Sequence, residues 1–175
     1  MQIRKMAMCA LFTALLCLCA WLAVPVGDIY ITMQTFGICI TLLLLGGKYG
    51  SISIFAYLLL GAVGLPVFSG FRGGMGVLLG PTGGYIWGFG ISALVYWLFT
   101  ALFKDNSPVR LISLCLGLVL CYLLGSLWYM HAYLQGQSFI FVLAKCVLPY
   151  CLPDACKLTL AFTLSNKLKN HIKIK

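Results

Sequence analysis

Acidic residues are nearly missing from this chain: three in 175 residues, against twelve Lys and Arg. All charged residues together make up only 9 %, where a soluble domain carries roughly a quarter. So few charges cannot cover a globular surface in water, and most of the chain must face lipid or itself. Three acids also leave little for acid–base or metal chemistry. The HExxH pattern is absent, and neither His131 nor His171 has a second His at ligand spacing. The P-loop pattern GxxxxGK[ST] fails at Gly47-Lys48, because Leu42 stands for the first Gly and Tyr49 for the Ser/Thr. No GxSG or GxSxG nucleophile turn occurs. The chain therefore reads as a non-enzyme with no metal or cofactor. There is no CxxC pair either; the nine cysteines are scattered, mostly in apolar spans. They read as small apolar residues rather than as a redox or metal set.

What the chain does have is apolar sequence: 62 % hydrophobic residues and a mean hydropathy of +1.04. The runs are continuous, not the alternating ten-residue segments of a lipid-facing barrel, so they point to helices. A spanning helix takes about 20 apolar residues. Candidate spans lie near 6–24, 33–47, 50–64, 83–103, 109–130 and 153–167. The expectation is an all-α, integral membrane bundle of six transmembrane helices in a single domain, 1–175, with a short helix around FIFVLAKCV. The N-terminus resembles a signal peptide but lacks a clean small-residue cleavage site, so it is kept as the first span. With the N-terminus inside, the inner segments hold nine basic residues: Arg4, Lys5, Lys48, Lys104, Arg110, Lys167, Lys169, Lys173 and Lys175. The outer segments hold Arg72, Lys145 and Lys157. This asymmetry places both termini in the cytoplasm and connections 25–32, 64–82 and 131–153 outside. It also explains the net charge of +9 without nucleic acid, since no basic face is interleaved with aromatics.

Three features stand out. Pro153-Asp154-Ala155-Cys156-Lys157 reads as a helix start, with Asp154 in the first turn and Lys157 three residues on, on the same face. A capping acid and a snorkelling lysine would explain it; a pair buried in the bundle would instead meet a ligand or partner. Gly76, Gly80, Gly84, Gly88 and Ser92 recur at every fourth position, a small-residue ridge for close helix packing that is helical mainly from Gly84 onward. Pro81 and Thr82 suit the start of that helix, with Thr82 as N-cap. Ala10 and Ala14 repeat the small-xxx-small spacing on the first span.

GPTGGYIWGF after LLLGAVGLPVFSG, together with ITMQT and the late LPDACK, resembles the BioY family, the biotin-specific substrate-binding (S) components of energy-coupling factor (ECF) transporters. The resemblance implies a six-helix bundle in the bacterial cytoplasmic membrane that captures biotin from outside. It also implies a separate transmembrane coupling (T) subunit and two cytoplasmic ATPase subunits, with Ala10 and Ala14 as a packing face for the coupling subunit. The family's ligand-binding acid and lysine match Asp154 and Lys157, and its Gly-rich loop corresponds to Gly73 and Gly74, with Arg72 beside them. Asp154 would accept from a ureido N–H and Lys157 would donate to the ureido carbonyl, while Arg72 is a candidate for the carboxylate. Tyr85, Trp87 and Trp128 are candidates by position to enclose the thiophane ring, and Gln34 to add a hydrogen bond. Loop 64–82 is expected to act as a lid. Another vitamin on the same scaffold, or a structural membrane subunit, are the competing readings.

Overall fold

The computed structural model describes residues 2–26, 29–103, 105–133 and 138–169. Lys104, His171, Lys173 and Lys175 of the charge and histidine readings lie outside the described residues. Helix α1 spans Gln2–Trp21 and stops three residues short of the expected end. The chain then forms a two-stranded antiparallel hairpin, β1 (Ala23–Val26) and β2 (Ile29–Thr32), with Ala23 opposite Thr32. An all-helical expectation missed this hairpin. Its β-branched residues favour strand, and Pro25 is tolerated because both strands are edges.

Helix α2 (Gln34–Ala62) carries one non-helical residue, Gly46, at φ 76° and ψ 174°. Its two arms, 34–45 and 47–62, fold back on each other at that point. A methyl added at Gly50 would lie 3.0 Å from the Leu42 Cα, and Gln34 Nε2 donates to the Tyr57 hydroxyl at 2.8 Å. In a straight helix those last two residues would stand about 34 Å apart. The tight turn between the second and third spans is thus where the sequence places it. By length and composition four helices can cross a membrane, or five with the bent pair α6–α7. One of the four is this folded α2, whose arms measure only about 18 and 24 Å at 1.5 Å per residue. Gly46 occupies a backbone region nearly closed to other residues, at a cost of about 1–3 kcal/mol. Gly46→Ala should therefore lower the thermal unfolding midpoint in detergent. Gly76→Ala, where a methyl meets nothing within 4 Å, should leave it unchanged; equal midpoints for both variants would refute the strain argument.

After α2 the chain makes a long connection containing one short helical turn, α3 (Met75–Leu78). Its base does not swing freely. Phe68 is fully buried, edge-on to Tyr57 at 5.5 Å and seated over Gly61, while the Gly74 N–H donates to the Gly61 carbonyl at 2.7 Å. The expected lid is anchored at Phe68, with exposed stretches on either side of it at 64–66 and 70–72 and further exposed positions at Met75, Gly76 and Leu79.

Helices α4 (Gly83–Leu102) and α5 (Ser107–Tyr133) pack along most of their length. The small-residue ridge makes this possible from Gly84 onward. Ser92 Oγ donates to the Gly88 and Gly117 carbonyls at 2.8 and 2.7 Å, tying the helices together. Thr82 does hold the N-cap position of α4, but its side chain makes no capping bond. The short helix is present as α6 (Phe139–Cys146). Helix α7 covers Leu148–Leu168, so the expected start at Pro153 is overturned. Pro149 occupies the permitted first-turn position, Pro153 lies inside the helix, and no acid stands in the first turn. Asp154 is one turn further in, so an N-terminal dipole does not account for it. The cysteine reading holds for Cys17, Cys19, Cys39, Cys121 and Cys146, which are buried; Cys115, Cys151 and Cys156 lie on the outer surface.

At the other end of the bundle, Arg110 grips the Asp105 carboxylate with two hydrogen bonds, from Nε at 2.5 Å and Nη2 at 2.9 Å. The Arg110 guanidinium holds the Asp105 carboxyl below its ordinary range. A depressed folded pKa gives stability that is complete above about pH 4, the unfolded value, and is lost as pH falls through the folded one. The gap in melting temperature between wild type and Asp105→Asn should therefore close on acidification. A gap independent of pH would rule this out.

Candidate functional site

A cavity opens between the first arm of α2, α4, α5 and α7, beneath the hairpin and the loop around Ser69. Its mouth is open, and its lining mixes apolar and aromatic side chains with a few polar groups, the make-up of a small-molecule site. The hairpin contributes Tyr30 and Thr32, α4 contributes Tyr85 and Phe89, and α5 and α7 bring Tyr122, Asp154 and Lys157.

The charged pair decides the chemistry. Lys157 Nζ donates to Asp154 Oδ1 at 2.7 Å, and the Tyr122 hydroxyl donates to Oδ2 at 2.6 Å. The side chains of Lys157 and Asp154 are only 11 % and 8 % exposed. A carboxylate and an ammonium this deep are costly unless paired, and pairing rarely repays desolvation in full. Between the two expected alternatives, snorkelling end or buried pair, the structure has the buried pair. Each carboxylate oxygen keeps a lone pair, and the ammonium keeps two protons. The pair therefore offers an acceptor beside a donor, complementary to an N–H next to a C=O.

The other expected residues divide. Gln34 lines the cavity, its amide tied to Tyr57 and accepting from the Thr32 hydroxyl at 2.9 Å. Tyr85 lines it too, its hydroxyl 3.4 Å from Ser126 Oγ. Arg72 is exposed at the rim, its guanidinium 5.2 Å over the ring of the cavity residue Tyr30. Trp87, 45 % exposed, stands on the outer surface of α4 and away from the cavity wall. Trp128 donates to the Gly80 carbonyl at 3.1 Å and packs on Gly84, behind the wall. Gly73 and Gly74 shape the loop: a methyl on Gly73 would collide with the Leu65 carbonyl, and Gly74 has φ 90°. Neither lines the cavity. Ala10 and Ala14 lie in an apolar groove on the opposite side of the bundle, with Trp21, Ala56, Leu60 and Val67.

A family model described as the BioY family matches residues 1–174. The chain belongs to the BioY family. It is 36 % identical over 171 residues to the probable biotin transporter BioY of Pyrococcus horikoshii, covering 98 % of this chain and 99 % of the relative. It is 38 % identical over 169 residues to the biotin transporter BioY of Thermotoga maritima, covering 95 % and 96 %. Among solved structures, the crystal structure of the S-component for biotin from an ECF-type ABC transporter superposes with a TM-score of 0.85 at 27 % identity. That match covers 97 % of this chain and 92 % of the other. The BioY family is one of transport components rather than enzymes, and these relatives are named as transporters.

Sequence reasoning missed Tyr122, Tyr30, Phe89 and Tyr150 in the cavity wall. A signal for Tyr122 existed. Leu118, Cys121, Tyr122 and Gly125 fall at i, i+3, i+4 and i+7, the α5 face turned to α4 and the cavity. No comparable signal pointed to Tyr30 or Tyr150, which reach the cavity from a hairpin and from a turn of α7 before Pro153.

Proposed function

We propose that this BioY-family chain captures biotin from outside the cell as the S component of an ATP-driven ECF transporter. The observation that carries the reading is the buried Asp154–Lys157 pair in the wall of a cavity lined by aromatic and polar side chains. Biotin presents a ureido N–H beside a carbonyl, and this edge pairs with Asp154 as acceptor and Lys157 as donor. Tyr85 and Gln34 form part of the surrounding wall. Arg72, exposed beside the cavity residue Tyr30, would attract the valerate carboxylate. The relatives named as biotin transporters, and the biotin S-component that shares the fold, support the same ligand.

Taking the two arms of α2 as separate spans beside α1, α4, α5 and α7 would give a six-helix bundle. Basic residues gathered at the end opposite the cavity support cytoplasmic termini in a bacterial cytoplasmic membrane. Energy would come from a T subunit and two ATPase subunits, since the chain carries no P-loop. The groove around Ala10 and Ala14 suits an apolar helix of the T subunit. Labelled biotin should saturate one site on the purified chain and resist riboflavin, thiamine and folate. Displacement by any of these would assign another vitamin, and absence of bound biotin would favour a structural subunit.

A further inference from the structure

Helices α5 and α7 both line the ligand cavity, yet they are not packed along a common seam; α5 packs on α4, and α7 on α2. The bond from the Tyr122 hydroxyl to Asp154 Oδ2 bridges this gap at the level of the cavity. Lys157, the other partner of Asp154, sits on the same helix three residues on. It moves with Asp154 and cannot set its orientation relative to α4 and α5. Only Tyr122, among the described partners of Asp154, holds the carboxylate from across the cavity.

We propose that Tyr122 is a positioning residue for ligand recognition. By engaging Oδ2 it turns Oδ1 and the Lys157 ammonium, as one unit, toward the N–H and C=O edge of the ligand. This inference rests on the biotin reading. The two N–H groups of a cyclic urea diverge to opposite sides of the carbonyl, so one carboxylate can accept only one of them. The Tyr122 oxygen lies 2.6 Å from Oδ2, too close to Asp154 to reach the other. Tyr122 therefore acts through Asp154 rather than on the ligand. A competing role, tying α5 to α7 for the fold alone, would serve all ligands equally.

Tyr122→Phe keeps the ring in the wall and removes only the donor. Its dissociation constants are to be measured for biotin and for the two mono-N-methylated biotins, each blocking one ureido nitrogen. Dissociation constants do not depend on how much of the variant folds. In wild type, the isomer weakened more identifies the nitrogen that faces Asp154. Tyr122→Phe should then weaken biotin and the other isomer about tenfold, and change the Asp154-blocked isomer less than twofold. Equal weakening of all three ligands, or no change in any, overturns the proposal. A wild-type chain that binds none of the three overturns the biotin reading and this inference with it; failure of Tyr122 alone leaves wild-type binding intact.

Discussion

The double replacement Asp154→Asn, Lys157→Ala should weaken biotin binding by roughly 2–5 kcal/mol, because the buried edge loses its cationic donor and the charge of its acceptor. Stability and binding should separate across this series. Lys157→Ala alone leaves the Asp154 carboxylate buried with only the Tyr122 hydroxyl to compensate it. Breaking one partner of a buried pair costs about 3–5 kcal/mol, whereas removing both charges is often neutral. The single variant should therefore melt well below wild type, and the double variant close to it, while neither binds biotin tightly. Melting curves and equilibrium binding on the same preparations check this. Undiminished affinity in the double variant would sink the assignment of the site. A double variant as unstable as Lys157→Ala would show that the pair is needed for folding rather than for ligand.

The other large effect is expected at Gly84→Val. Even a methyl at Gly84 would stand 2.4 Å from Trp128 Cβ and 3.0 Å from the Leu124 carbonyl. Both atoms belong to or lie next to the α5 backbone, so no flexible side-chain end can yield. The helices must separate, at a cost of about 1–3 kcal/mol or more. This seam carries Tyr85 and Phe89 on one side and Leu118 and Tyr122 on the other, so the cavity shifts with it. Biotin affinity should fall along with the melting temperature, although Gly84 touches no ligand. Trp87→Ala, on the outer surface, is the matched control and should leave affinity unchanged. A Gly84→Val chain with wild-type melting and affinity would mean that the close approach of the two helices is not required.

Several features of this molecule were readable before any fold. The scarcity of acids and the continuous apolar runs required a helical membrane protein, because nothing else in the composition could be covered by water. Gly46-Gly47 and Gly50 marked the reversal inside α2, since a chain bent that sharply needs a backbone free of Cβ. The small residues from Gly84 onward announced a close helix pair. Asp154 and Lys157 drew attention because isolated charges in apolar sequence are costly. What the sequence left open is whatever depends on the distance between segments far apart along the chain. Capping and snorkelling explained Asp154 and Lys157 as well as burial did, until Tyr122, 32 residues earlier, was seen to close on the carboxylate. Pro153 resembled a helix start, and only Pro149 with one more turn of α7 moved Asp154 inward. Trp87 and Tyr85 are two residues apart and equally aromatic, but the 100° turn per residue sends one outward and the other into the cavity wall. Local chemistry determined which residues were unusual; packing decided which of them face one another.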